Sequence, residues 1–197
     1  MSNQIVKVVN NFMDLESRSK AMSFFDNALL NNPEIIMYGP KDVNKLGPVI
    51  QVGDDQDFPQ SHKTFASIFS KEHTDENLKL SNQIIDVIHN EFNEERDVYL
   101  SSFWYRKQFS GSKISPHKDC NPEINWHFEY SAIIYLNDFI GGELVFNDLG
   151  FSIKPEAGDL IVFNTKDVGI HEVKELNDIR YSMPMWFTFD EKFALKG

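Results

Sequence analysis

The sequence predicts a mainly β protein with helices at its N-terminal side. Two stretches before residue 97 have the apolar spacing of amphipathic helices, and Pro33 ends the first of them. After Asp97 the apolar period changes to two, and glycines and prolines divide the chain into short segments rich in β-branched and aromatic residues. Helices followed by seven or eight antiparallel strands indicate a double-stranded β-helix, a jelly roll of the cupin-like type.

The first half of the chain is predicted to be mixed. One helix is expected over residues 11–31, and a second is expected to begin at Thr74, an N-cap residue that acidic residues follow in the first turn. Short strands are predicted between them at residues 34–38 and 49–52. We expect a single domain, in which residues 1–96 support a catalytic jelly-roll core at residues 97–190.

The second half of the chain is predicted to form eight strands. On the last of them, Arg180, Ser182 and Trp186 share one face, and Pro184 predicts an edge position or a bulge because it lacks a ladder donor. The predicted strands cover residues 97–109, 114–119, 128–137, 143–146, 151–153, 159–163, 170–176 and 180–189.

Composition excludes several classes of function. A formal net charge of -11 over 197 residues disfavours a general nucleic-acid binder, which would need a basic face. The single cysteine, Cys120, allows no intrachain disulfide and gives no sign of an oxidising compartment. No signal sequence and no apolar run of membrane-spanning length is visible, so we expect a cytoplasmic protein without a membrane partner.

One pair of residues has the spacing of metal ligands on a strand. His117 and Asp119 are two positions apart, so both side chains of an extended strand would point to the same face. His171 lies far enough downstream for the chain to pass through several strands and return beside them. Two imidazoles and one carboxylate form the facial triad that holds non-haem Fe(II) and leaves positions open.

The same spacing occurs twice more in the chain. His73 and Asp75 lie at a predicted helix start, where the helix dipole explains the acidic residue. His127 and Glu129 lie on a predicted strand and remain an alternative metal pair. Downstream, Arg180 opens the last strand; if its face is the barrel interior, it needs an anionic partner, which a small dicarboxylate would supply.

These motifs together resemble a known family. The sequence is similar to the prolyl 4-hydroxylase branch of the Fe(II)/2-oxoglutarate dioxygenases, and most similar to its hypoxia-sensing type, in which His-Glu-Val is also followed by Arg at plus nine. The resemblance covers about residues 97–190. It is carried by residues 117–119 (HKD), 135–137 (YLN), 141–144 (GGEL), 155–159 (PEAGD), 171–173 (HEV), 180–181 (RY) and Trp186.

The resemblance implies a role for each matching residue. His117, Asp119 and His171 would bind iron. Arg180 would pair with the distal carboxylate of 2-oxoglutarate, and Tyr135 would hydrogen-bond the same group.

Two further positions would shape the cosubstrate pocket, and one departs from the family. Leu144 and Trp186 would line the pocket. The family has a tyrosine nine or ten residues before the first ligand, where this chain has Lys107 and Gln108; Tyr105 is the nearest candidate to replace it.

The resemblance implies oxidative chemistry on a C–H bond. The cofactors would be Fe(II), 2-oxoglutarate as cosubstrate and O2, with ascorbate as a further candidate, and the products would include succinate and CO2. Our first hypothesis is hydroxylation of a proline in a protein or peptide, and the alternative is the same chemistry on a free amino acid, another side chain or a small molecule. A non-catalytic cupin-like module is disfavoured, because the chain keeps all three ligands and the arginine.

Overall fold

Two long helices precede the main run of strands in the computed structural model, which describes residues 4–31, 49–53, 71–120 and 127–195. Helix α1 spans Leu15–Asn31, helix α2 spans Lys71–Phe92 and the short helix α3 spans Thr165–Val168. A turn of 3-10 helix follows at Glu191–Phe193. None of the helices in these ranges is long and apolar enough to cross a bilayer.

The described part of the chain contains ten strands in two antiparallel sheets. The six-stranded sheet has the order β1-β8-β5-β10-β3-β2, and the four-stranded sheet has the order β4-β9-β6-β7. The strands are β1 (Val6–Val9), β2 (Val49–Gly53), β3 (Tyr99–Gln108), β4 (Ile114–His117), β5 (Tyr130–Tyr135), β6 (Leu144–Phe146), β7 (Phe151–Ile153), β8 (Leu160–Asn164), β9 (His171–Val173) and β10 (Arg180–Thr188).

The larger sheet separates two hydrophobic clusters, because side chains alternate between its faces. Ala132 and Ile134 of β5 pack with the helices, together with Met183 and Met185 of β10. The opposite face of β5 contributes Tyr135 to a second cluster, which also contains residues of the four-stranded sheet. The second cluster therefore lies between the two sheets, as in a jelly roll.

All eight strands predicted after residue 97 are present, with ends that differ by a few residues. Strand β1 was not predicted; its four residues form an edge of the six-stranded sheet by pairing with β8, and so short a segment has little pattern of its own. The strand expected at residues 49–52 is β2. The strand expected at residues 34–38 lies outside the described residues.

Both helix starts differ from the prediction. Helix α1 begins at Leu15 rather than residue 11, because Asn11 has a left-handed φ of 51° and the Asp14 carboxylate caps the helix by accepting from Ser17 N at 2.8 Å. Helix α2 begins at Lys71, so Thr74 lies inside it and the prediction of Thr74 as N-cap was wrong. No glycine or proline at residues 71–74 interrupts the earlier turn.

The prediction of an edge strand at Pro184 was also wrong. Strand β10 lies inside the sheet, paired with β5 on one side and β3 on the other. Pro184 is tolerated there because the pairing with β3 passes from Ser182 to Met185 without bridges between them. A bulge does occur, two residues later, between Trp186 and Phe187.

Candidate active site

The structure brings His117, Asp119 and His171 together between the two sheets. His117 ends β4 and His171 begins β9, and the antiparallel pairing of these strands sets the two histidines opposite each other. The Asp119 carboxylate lies between them, with Oδ1 at 3.4 Å from His117 Nε2 and Oδ2 at 3.7 Å from His171 Nε2. One ligand atom from each residue lies within 4.8 Å of the others, which is close enough for one metal ion.

The backbone orients His117 so that Nε2 faces the cluster. Its Nδ1 lies 2.9 Å from the Ser115 carbonyl oxygen, which can only accept, so Nδ1 carries a proton. Its Nε2 faces Asp119 Oδ1, and a bound metal ion would take the place of a proton on Nε2. Burial of His117 opposes its charged form, but the contacts with Asp119 and the Ser115 carbonyl raise its pKa overall. Burial lowers the pKa of His171, which favours the neutral form that a metal requires.

Asp119 is buried and yet stays a carboxylate. Burial alone would raise its pKa, but the hydrogen bond with His117 and the charges of both histidines hold the pKa well below its usual range. The Ser131 hydroxyl also donates to Oδ2 at 2.6 Å, from the facing strand β5. This bond fixes the carboxylate across the space between the sheets.

The set of two imidazoles and one carboxylate fits Fe(II) and occupies one side of it, so positions remain open for other ligands. No other cluster of three histidine, cysteine or acidic side chains with this geometry occurs among the described residues.

The two alternative pairs lie elsewhere. The His127 ring stacks on Phe193 with centroids 4.8 Å apart, and Glu129 accepts from Phe189 N at 3.1 Å, so neither joins the cluster. His73 and Asp75 lie near the start of α2, as its third and fifth residues. His62 lies outside the described residues.

Arg180 is a buried cation on the inner face of β10, with only 2% of its surface exposed. Its Nε donates to Gln108 Oε1 at 3.1 Å, its Nη2 donates to the same oxygen, and its Nη1 donates to the Gly142 carbonyl at 3.2 Å. No carboxylate within the described ranges pairs with it, and burial lowers its pKa. The guanidinium thus has neutral protein partners and a charge that an external carboxylate can neutralise.

The other predicted pocket residues face the same interior. The Tyr135 ring lies 5.8 Å from Arg180 Cζ, and burial raises the pKa of its hydroxyl. Leu144 is fully buried in the cluster between the sheets. Trp186 lies opposite Ser131, whose hydroxyl holds Asp119.

Tyr105 does not lie at this site. It packs among the helix-side residues and donates from its hydroxyl to Asn77 Oδ1 at 2.9 Å. The reason is that side chains alternate between the two faces of β3. Because Tyr105 faces the helices, Arg106 and Gln108 face the space between the sheets. Gln108 and Arg106 are site residues that the sequence reasoning missed, although the same parity count could have found them.

Residues 102–188 match the model of the 2OG-Fe(II) oxygenase superfamily. No curated protein matches the sequence at a significant level.

Comparison of folds gives prolyl hydroxylases among the similar solved structures. One is a Pseudomonas putida prolyl-4-hydroxylase, with 18% identity, a TM-score of 0.64 and coverage of 94% of this chain and 92% of that one. Another is a Trichoplax adhaerens prolyl hydroxylase in complex with a peptide fragment of the hypoxia inducible factor, with 18% identity, a TM-score of 0.66 and coverage of 98% and 86%. A third is the viral collagen prolyl hydroxylase of Paramecium Bursaria Chlorella virus-1 in its 2OG complex, with 12% identity, a TM-score of 0.60 and coverage of 93% and 96%.

Proposed function

We propose that the chain is a 2-oxoglutarate-dependent dioxygenase that hydroxylates a proline residue within a protein or peptide, because residues 102–188 match the model of the 2OG-Fe(II) oxygenase superfamily. The observation that carries the proposal is the cluster of His117, Asp119 and His171 in the same interior as the buried Arg180. The choice of a peptidyl proline is supported by the prolyl hydroxylases of similar fold, one of which holds a peptide.

Three residues would hold the iron and two would hold the cosubstrate. His117, Asp119 and His171 would present imidazole Nε2 and carboxylate atoms to one point, and Ser131 would keep the carboxylate oriented. Fe(II) and 2-oxoglutarate, when bound, supply the oxidising chemistry that consumes O2 and releases succinate and CO2.

The protein's own contribution is orientation and exclusion of water. Arg180 would bind the distal carboxylate of 2-oxoglutarate, and Tyr135 would donate its hydroxyl to the same group, because its raised pKa keeps the proton in place. Leu144 and Trp186 would form apolar walls of this pocket, which excludes water from the reacting groups. Ascorbate as a further cofactor and a cytoplasmic location stay predictions.

The test is oxygen incorporation into proline-containing peptides. Purified protein with Fe(II), 2-oxoglutarate and O2 should add one oxygen to proline in at least one peptide of a broad panel, located by tandem mass spectrometry. Asp119→Ala should reduce this turnover by about a hundredfold or more, because the variant loses a charged metal ligand.

His127→Ala is the matched control, because this histidine also precedes an acidic residue by two positions but lies outside the cluster. It should keep nearly full turnover. Oxygen found only on other residues or on small molecules would reject the prolyl assignment, and full activity of the Asp119 variant would reject the metal site.

A further inference from the structure

Three inward-facing side chains of β3 have buried N–H groups without a hydrogen-bond partner. They are Trp104 Nε1, Arg106 Nε and Gln108 Nε2. Because the residues are two apart on one strand, their side chains point to the same face, which is the face of the metal cluster. A buried polar group without a partner is costly, so three in a row indicate a ligand that is rich in acceptors.

One of these donors belongs to a charged group that the proposed mechanism does not use. Among the described residues no carboxylate pairs with Arg106, and the only close aromatic contact of its guanidinium is Trp104, whose ring centroid lies 5.0 Å away. Burial and the nearby Arg180 lower the pKa of Arg106 to about 10, against the attraction of Asp119, so the group remains a cation at neutral pH.

The register of the sheet places this cation next to the residues proposed to bind the cosubstrate. Gln108 lies opposite Arg180, and Arg106 lies opposite Ser182, one step further along the same two strands. Ser182 in turn lies opposite Tyr135 on β5. The proposed function assigns the distal carboxylate of 2-oxoglutarate to Arg180 and Tyr135, so the Arg106 guanidinium is left for a second anionic group.

We propose that Arg106 binds a carboxylate of the primary substrate, so that the enzyme selects a target carbon with an anionic group nearby. The inference rests on the proposed oxygenase function and narrows its substrate class. The carboxylate could come from two sources, a free α-carboxylate of an amino acid or C-terminal residue, or an acidic side chain next to an internal proline. In each case a charge-assisted hydrogen bond would neutralise the buried guanidinium.

Four proline compounds distinguish these sources: free L-proline, acetyl-Gly-Pro, acetyl-Gly-Pro amide and acetyl-Asp-Pro amide. We expect kcat/KM to be about tenfold or more higher for the carboxylate-bearing compounds than for the neutral amide, as the loss of a bond to a charged group implies. Preference for the first two identifies an α-carboxylate, and preference for the last identifies an acidic side chain. Equal turnover of the neutral amide would overturn the proposal.

Arg106→Gln should abolish this preference and leave the KM for 2-oxoglutarate within about threefold of the wild-type value, whereas Arg180→Gln should raise that KM steeply. Arg96→Gln is the control for removal of a cation, since Arg96 is exposed and pairs with Glu94. If Arg106→Gln instead raises the KM for 2-oxoglutarate as Arg180→Gln does and keeps the substrate preference, Arg106 belongs to the cosubstrate site and the proposal is wrong.

A further experiment tests whether Arg106 binds a carboxylate even if the substrate is not a proline. If no proline compound is oxidised, carboxylate metabolites are tested for stimulation of 2-oxoglutarate decarboxylation. Stimulation that requires Arg106 supports the carboxylate site and rejects a prolyl substrate, and stimulation that Arg106→Gln leaves unchanged overturns the site.

Binding gives a readout without turnover. Acetyl-Gly-Pro and acetyl-Asp-Pro amide are titrated under nitrogen into protein loaded with Mn(II) and 2-oxoglutarate. At least one should raise the melting temperature of the wild type and of Arg96→Gln, but not that of Arg106→Gln. If neither compound shifts the wild type, the titration is repeated with the carboxylate metabolites of the decarboxylation test. No shift with any of these carboxylates, or equal shifts in all three proteins, overturns the proposal.

Discussion

The Glu94 carboxylate, in the segment between α2 and β3, accepts four hydrogen bonds. Its carboxylate accepts from Arg96 Nε and Nη2, both at 2.7 Å, from the Arg96 backbone N–H at 3.1 Å and from the Tyr130 hydroxyl at 3.1 Å. The bonds from Arg96 lower the pKa of Glu94 from 4.5 to about 2. The carboxylate thereby joins the segment after α2 to strand β5.

This lowered pKa predicts how stability depends on pH. The charged form is favoured in the folded state, so its contribution is fully present above pH 4.5 and is lost as the pH falls towards about 2. Glu94→Gln should therefore lower the free energy of unfolding by about 1–2 kcal/mol at pH 7. The deficit relative to the wild type should shrink as the pH falls through this window.

Urea unfolding at pH 7 and at pH 3 measures the difference in the free energy of unfolding between Glu94→Gln and the wild type at each pH. Glu95→Gln removes an exposed acid from the adjacent position and should change neither value by a comparable amount. A deficit for Glu94→Gln that is the same at both pH values would show that the charge of Glu94 contributes nothing.

The residues of the site that were predictable from the sequence are the metal ligands, because few residue types bind Fe(II). The spacing of His117 and Asp119 predicted that both lie on one strand; β4 ends at His117, and Asp119 lies in a bend two residues later but still reaches the cluster. Spacing alone could not separate this pair from His127 and Glu129, because that decision depends on which segment pairs with the strand of His171. Arg106 was missed because a cation inside a barrel contradicts the usual preference for the surface.

At the level of elements, the alternation of β3 and β10 was more predictable than the ends of the helices. Met183, Met185 and Phe187 lie together on the helix side of β10, opposite Arg180 and Ser182, as a period of two indicates. The starts of α1 and α2 depend on local caps and turns, which shift by a few residues without altering the apolar stripe. Strand β1 depends on its partner β8, so its own sequence contains little of the signal.

The turn before β6 positions Arg180 and is intolerant of a side chain. Gly141 has a φ of 73°, and a Cβ there would overlap the backbone oxygen of Glu175, which cannot move as a flexible side chain would. The next residue, Gly142, accepts from Arg180 Nη1 at 3.2 Å. A substitution at Gly141 should therefore disturb both the pairing of the turn and the arginine.

Gly150 is a matched control for this turn, because its φ of 72° is nearly the same and nothing lies within reach of a Cβ. Both Gly→Ala changes incur the left-handed backbone cost of about 1–2 kcal/mol. Gly141→Ala should lose about 3 kcal/mol or more, since the overlap with a fixed backbone adds strain. Chemical denaturation measures the free energy of unfolding of both variants, and equal losses of stability would contradict the steric argument.

At the scale of the whole molecule, the two faces of the six-stranded sheet have different surroundings. One face packs on α1 and α2 through an apolar cluster that contains Phe25, Ile84 and Ile88. The other face contributes both to the inner core and to the polar site. The jelly roll was predictable from strand count and turn spacing, but the division of the chain into a support region and a catalytic core within one domain stays a prediction.

The site makes the unliganded protein less stable than its fold would allow. Among the described residues, three buried N–H groups on β3 have no hydrogen-bond partner and no carboxylate pairs with Arg106, so bound ligands would supply partners that the protein does not. Ligands that bind only the folded state add stability, by about 2.7 kcal/mol at a hundred times the dissociation constant. For a domain of this size that corresponds to a rise in melting temperature of roughly 5–10 °C.

We therefore expect Mn(II) and 2-oxoglutarate together to raise the melting temperature by this amount under nitrogen, and EDTA to reverse the rise. Arg180→Gln should keep the part of the shift that Mn(II) alone produces and lose the part that 2-oxoglutarate adds, because the distal carboxylate no longer meets a cation. Asp119→Ala should lose both, since metal binding precedes chelation of the cosubstrate. An undiminished 2-oxoglutarate shift in Arg180→Gln would mean that the dicarboxylate binds elsewhere in the fold.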